Sequence, residues 1–257
     1  MTTTHKINAK GATLFATESG SGPTLVYSHC LGLDHRVWDG VVERLPNYRS
    51  VRYDLRGHGQ SDAPDGPYGM GTLISDAEAV CDNLDLRDVV FVGLSVGGMV
   101  AQGLAVKRLD LVRGMVMIAS AAKVGQPEPW HERAKAVRES GMQAIADTTM
   151  ERWNAGEDRQ KLQEWLLQAN PEGYAATCEA LAGTDFYTPT SGLRLPTLGM
   201  CGNGDKAMPP DLVRETTDLV PGSQFHLIRG AGHITAVTHA DDIATKLTEF
   251  LSGIGHV

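Results

Sequence analysis

The chain lacks the marks of several protein classes. Its four cysteines, Cys30, Cys81, Cys178 and Cys201, lie far apart and no CxxC occurs. A zinc knuckle and a dense disulfide scaffold are thereby excluded, and a reduced intracellular protein is expected. No basic run is present: 23 Lys and Arg are scattered against 31 Asp and Glu, for a net charge of −8. Nucleic acid, which needs clustered cations, is therefore not an expected partner. No segment approaches the roughly 18 uninterrupted apolar residues of a membrane span. The opening Met1-Thr-Thr-Thr-His-Lys has no apolar signal segment, so the expected location is the cytoplasm, away from membranes.

Cofactor motifs are missing as well. There is no G-x-x-x-x-G-K-[ST] loop, and Gly93 to Gly98 does not spell G-x-G-x-x-G. His131-Glu132 starts like a zincin helix, but position 135 is Lys where the second His would stand. Neither a metal nor an organic cofactor is expected. What remains is ordinary globular composition, 42% hydrophobic and 21% charged over 257 residues, enough to bury a large core without staples.

Short apolar, β-rich runs recur at Thr24 to Tyr27, Ser50 to Tyr53, Val89 to Val92, Met115 to Ile118, Thr197 to Cys201 and Phe225 to Ile228. They read as strands buried on both faces, as a parallel sheet requires. Helical spacing joins Leu73, Ala77, Val80, Cys81 and Leu84, and again Ile243, Leu247, Phe250 and Leu251. The alternation predicts an α/β fold with a mostly parallel central sheet and helices on both faces. His5 to Asn8 and Thr13 to Thr17, around Gly11, read as an antiparallel hairpin at the sheet edge. From about Ala122 only helical patterns appear until strand signals resume at Leu195, and this stretch carries Trp130, Trp153 and Trp165. The expected division is a core in two parts, residues 1–121 and 186–257, with a helical lid at 122–185.

The sharpest chemical signal is Gly93-Leu94-Ser95-Val96-Gly97, a G-x-S-x-G that follows a predicted strand and opens a predicted helix. Small neighbours let Ser95 occupy a tight, strained turn with its hydroxyl exposed at the strand's C-terminal end. A hydroxyl is a poor nucleophile at neutral pH, so it needs a base and a group to orient that base, in the chain order Ser, acid, His. Asp205, in Gly202-Asn203-Gly204-Asp205, and His233, in Gly230-Ala231-Gly232-His233, each follow a predicted strand. An oxyanion hole needs two backbone N–H groups. Val96 is the expected donor beside the nucleophile, and Leu31, in Ser28-His29-Cys30-Leu31-Gly32, the expected second. Any strand-to-helix loop carries small residues, so a merely structural role for that loop competes with this one.

These residues, with Tyr53-Asp54-Leu55-Arg56-Gly57-His58-Gly59-Gln60-Ser61-Asp62, resemble the α/β-hydrolase superfamily over nearly the whole chain. Within it the chain is similar to the lactonases that open 3-oxoadipate enol-lactone in bacterial breakdown of aromatic compounds. That likeness rests on Ser28 to Trp38, Arg52 to Tyr68, Gly93 to Gln102 and Ala119 to Met142. It departs from the usual pattern at His29-Cys30, at Lys206 beside the acid, and at His239, where an acidic or amide residue is common. The resemblance implies a cofactor-independent serine hydrolase of carboxylic esters that opens a small, anionic lactone. Trp130, Arg133 and Trp153 are then the substrate-binding candidates, with Lys135 as a second possible cation. Solvated lid cations and a packed tryptophan are the competing explanation. The same triad serves a carboxylesterase, a perhydrolase or a C–C hydrolase, and the fold also serves non-catalytic small-molecule receptors. Apolar lid positions fit a pocket wall and a subunit contact equally, leaving the oligomeric state open.

Overall fold

In the computed structural model, which describes residues 2–257, eight strands form one sheet in the order β1-β2-β4-β3-β5-β6-β7-β8. They are β1 (Thr2–Ala9), β2 (Ala12–Ser19), β3 (Thr24–Ser28), β4 (Arg49–Tyr53), β5 (Val89–Leu94), β6 (Val112–Ile118), β7 (Thr197–Gly202) and β8 (Gln224–Ile228). β1 and β2 form the antiparallel hairpin, paired from Thr2↔Ser19 to Ala9↔Ala12, and Gly11 turns the chain at φ 79°. β2 also runs antiparallel to β4, and every later pairing is parallel.

The helices are α1 (Asp39–Glu43), α2 (Met70–Asn83), α3 (Val96–Lys107), α4 (Pro127–Ser140), α5 (Gln143–Trp153), α6 (Arg159–Leu167), α7 (Pro171–Ala182), α8 (Tyr187–Ser191), α9 (Pro210–Asp218), α10 (Thr235–Thr238) and α11 (Ala240–Gly253). β5 and β7 are buried at every position, which a strand reaches only when both faces are covered. α1 packs on α11, α2 on α3, and α3 and α9 lie directly against strands. Between β6 and β7 the chain forms only helices, α4 to α8. α4 runs along α7, and Arg138 bridges from one to the other through Glu172 and Glu179.

One strand departs from the expectation of double burial. β8 closes the sheet, so only β7 pairs with it, and Gln224 and Leu227 are exposed. All four cysteines are buried and free. Among the described residues no helix is long and apolar enough to cross a membrane.

β3 sits between β4 and β5, although the chain visits β4 first. The strand order therefore reverses at β3 and β5, and the loops leaving their C-terminal ends diverge to open a crevice, the usual ligand position in such sheets. The loop after β3 carries His29, Cys30 and Leu31, and the turn after β5 carries Ser95.

Candidate active site

Ser95 joins β5 to α3 with φ 57° and ψ −118°, a region that costs a non-glycine residue about 1–3 kcal/mol. Its neighbours over-determine that conformation. The Ser95 N–H donates to Ile118 O at 2.8 Å, and its own carbonyl accepts from Gly98 N–H at 2.9 Å. A Cβ on Gly93 would come 2.1 Å from Gly97 O, and one on Gly97 would come 2.2 Å from Ser28 O. Both glycines are thus required by close backbone approach. Leu31 and Val96 are buried, and neither backbone N–H donates to another described residue. For Val96 this follows from its place in the first turn of α3, whose N–H groups have no intrahelical acceptor.

Asp205 follows β7 and His233 follows β8. Both are buried, and His233 Nδ1 lies 2.8 Å from Asp205 Oδ2. Asp205 Oδ1 accepts the N–H groups of Ala207 and Met208, each at 2.8 Å, so the carboxylate cannot rotate away without losing both. The two loops meet closely: a Cβ on Gly202 would come 2.3 Å from Gly232 O. The end of α5 fastens both. His233 N–H donates to Trp153 O at 2.7 Å and Lys206 N–H to Arg152 O at 3.2 Å, while the Asn154 amide donates to Gly204 O at 3.1 Å. Trp153 also stacks on the His233 ring at 6.4 Å.

Ser95 and His233 line one pocket together with Leu31, Trp130, Arg133 and Trp153. The same pocket takes in Thr149, Arg152, Tyr174 and Met208, which sequence reasoning missed. Arg133 is held from two sides, donating from Nε to Tyr174 O–H at 2.7 Å and from a terminal nitrogen to Thr149 Oγ1. Burial, and then the Arg133 charge, make Arg152 less basic than a free guanidinium, against the opposing pull of Tyr174 and Asp205. It remains a cation at any working pH. Among the described residues neither guanidinium forms an ion pair with a carboxylate. Trp130 donates its indole N–H to Val124 O at 2.7 Å, which fixes its ring as part of the wall.

One sequence candidate falls elsewhere. Lys135, two residues from Arg133 and hence on another face of α4, is exposed and lies 3.9 Å from Glu139. Trp165 meets Arg36 and Lys161 rather than the pocket. Lys206, beside Asp205, is exposed at the surface.

The chain belongs to the α/β hydrolase family, whose model matches residues 25–246. Within that family it is similar to enol-lactonases. It is 35% identical to 3-oxoadipate enol-lactonase 2 of Acinetobacter baylyi over 191 residues, 71% of this chain and 72% of that protein. The crystal structure of the enol-lactonase from Burkholderia xenovorans superposes with a TM-score of 0.91 at 31% identity, over 97% of this chain and all of that one. A thermophilic esterase from Thermogutta terrifontis superposes with a TM-score of 0.93 at 28% identity, over 99% of this chain and all of that one. Its family and relatives support a hydrolase activity for this chain.

Proposed function

We propose that this protein is a serine-dependent enol-lactonase that opens a small lactone bearing a carboxylate, with 3-oxoadipate enol-lactone as its substrate. The observation that carries the reading is the pair Arg133 and Arg152, two cations without a carboxylate partner in the pocket that Ser95 and His233 share. Arg133 is half-buried and Arg152 keeps part of its surface in water, so the pair carries little desolvation cost by itself, but an anion bound in the pocket gains charge-assisted hydrogen bonds from both. An acidic protein, −8 overall, needs such a local site to hold an anionic ligand at all. The similarity to enol-lactonases supports the same choice.

In this mechanism His233 takes the Ser95 proton on Nε2 while Asp205 holds Nδ1–H and balances the imidazolium. Ser95 Oγ attacks the lactone carbonyl, and the Leu31 and Val96 N–H groups receive the oxyanion. Collapse breaks the ring C–O bond and expels the enol oxygen, which takes the proton from His233. Water, deprotonated by His233, then attacks the acyl-enzyme carbonyl; the acyl C–Oγ bond breaks, Ser95 Oγ takes the proton back from His233, and the second carboxylate is released. Every proton moved belongs to Ser95, His233 or water, so no cofactor enters. Residues 122–185 act as the lid. The free space in the pocket is about 40 Å³, room for a few waters, so side chains lining it have to shift to admit the lactone.

The test compares freshly generated enol-lactone with an aryl acetate, using wild type, Ser95→Ala and Arg152→Met. Ser95-dependent lactone opening is expected, at a kcat/KM far above that for the acetate. A charge-assisted contact is worth about 1.5–3 kcal/mol, so Arg152→Met raises KM for the lactone roughly 10- to 100-fold and spares the acetate. Equal effects on both substrates would remove the anion reading, and turnover of the acetate alone would leave a serine esterase of other specificity.

A further inference from the structure

The loop that carries Leu31 begins with a histidine that is not part of the triad. His29 is fully buried. Its Nε2 lies 2.9 Å from the Leu55 N. A backbone N–H can only donate, so Nε2 is the acceptor and carries no proton. The single proton of the neutral ring must then sit on Nδ1, which lies 2.7 Å from Cys30 O and donates to it. Burial, with a smaller push from His35 and against the pull of Asp54, favours this neutral form of His29.

The carbonyl it grips belongs to the peptide that joins Cys30 to Leu31. A trans peptide is planar, with its C=O and N–H pointing in opposite directions. Fixing Cys30 C=O on one side therefore fixes where Leu31 N–H aims on the other. The His29 backbone cannot drift either, because its carbonyl and that of Ser28 lie against Gly97, where an added Cβ would come within 2.2–2.8 Å of them. Leu33 N–H reaches the same Cys30 carbonyl only at 3.5 Å, leaving the imidazole as the short contact.

We infer that His29 is a positioning residue for the oxyanion hole, setting the direction of the Leu31 N–H through the Cys30–Leu31 peptide. This rests on the serine-hydrolase reading above. Its own contribution is to transition-state stabilisation and leaves ground-state binding of the substrate unchanged.

Two variants separate the ring's two hydrogen bonds. Asparagine places its amide near the Nδ1 position, so His29→Asn keeps a donor for Cys30 O and drops the Leu55 contact. His29→Gln reaches the Nε2 position, keeping the Leu55 contact and dropping the Cys30 donor. Losing an oriented oxyanion donor costs up to about 10²–10³ in kcat. The Gln variant is expected to lose roughly 10- to 100-fold in kcat on an aryl acetate with KM within twofold. Its affinity for a boronate transition-state analogue falls in parallel, and the Asn variant recovers most of kcat. Equal kcat in wild type and His29→Gln, or equal losses in both variants, would overturn the inference. Nitrogen-15 shifts of the histidine rings in the wild-type protein decide the matter if a variant fails to fold. A proton on Nδ1 of His29 supports the inference, and one on Nε2 refutes it. Activity that survives Ser95→Ala would instead fail the underlying serine reading, whatever His29 does.

Discussion

Replacing Asp205 by asparagine removes one charge and tests how the whole constellation is wired. Oδ1 is engaged by two backbone donors, Ala207 and Met208 N–H, so the asparagine oxygen must take that place. The NH2 group then faces His233 Nδ1, where Oδ2 stood at 2.8 Å. Two donors cannot share one contact, so Nδ1 loses its proton, the ring carries it on Nε2, and the nitrogen that should accept from Ser95 is blocked. Flipping the amide would set NH2 against two N–H donors. With each lost bond costing about 1–3 kcal/mol, the flipped form is disfavoured by about 2–6 kcal/mol, roughly 30- to 10⁴-fold at 1.4 kcal/mol per tenfold. Loss of the charge that balances the imidazolium adds to this, and in serine triads the exchange costs about 10⁴ in kcat. We expect Asp205→Asn to lower kcat on an aryl acetate by about 10³–10⁴ with KM within threefold and near-UV circular dichroism unchanged. Steady-state kinetics with Ser95→Ala as the floor measure it. An Asp205→Asn enzyme within tenfold of wild type would refute the assigned roles.

Gly202→Ala drives a Cβ to 2.3–2.4 Å from the carbonyls of Gly232 and Ala231; it should part the acid and histidine loops and cost activity before it costs secondary structure, seen as lost turnover at unchanged far-UV signal. Arg56 and Asp76 form a buried bidentate pair, with Arg56 Nη2 at 2.6 Å from Asp76 Oδ1. Arg56→Met strands a buried carboxylate and should destabilise the fold by about 3–5 kcal/mol in urea. The pH dependence of stability gives another check. Burial, and then the neighbouring His29, push the His58 imidazole down to about 4, below the usual 6.5 of an unfolded chain. The unfolded state thus binds the proton first, so the stabilisation is complete above about pH 6.5 and is lost as pH falls toward 4, about 3 kcal/mol in all. The urea midpoint of wild type should fall between pH 7 and 5, and His58→Phe should flatten that slope; an unaltered slope would contradict the buried neutral ring.

Much of the fold was legible because the strands announce themselves. Val89 to Leu94 is an unbroken apolar run, and only a doubly covered central strand tolerates one. Ser95, Asp205 and His233 stood out as candidates by motif and chain order, since each follows such a run, and the fold places Asp205 against His233 and His233 in one pocket with Ser95. β8 was misjudged because Phe225 to Ile228 has the same composition as an inner strand, and its edge position depends on the order of the others. Arg152 was invisible for a different reason. An arginine on an amphipathic helix reads as solvated, and only the docking of the α5 end against the acid and histidine loops turns it to the pocket. Arg133 and Lys135 looked alike in sequence, yet two residues on a helix are some 200° apart, and only one of them reaches the pocket. His29 was one histidine among nine, and nothing but its two hydrogen-bond partners distinguishes it.

The three bonds from the end of α5 to the loops of Asp205 and His233 bear on how such enzymes diversify. On the proposed reading, a helical segment exchanged between relatives as a self-contained cassette would bring its own carbonyls to grip foreign Asp205 and His233 loops, so substrate range and alignment of those two residues would change together. Chimeras cut after Asn154, leaving α5 with its native loops, should keep turnover where a graft of the entire helical segment loses it.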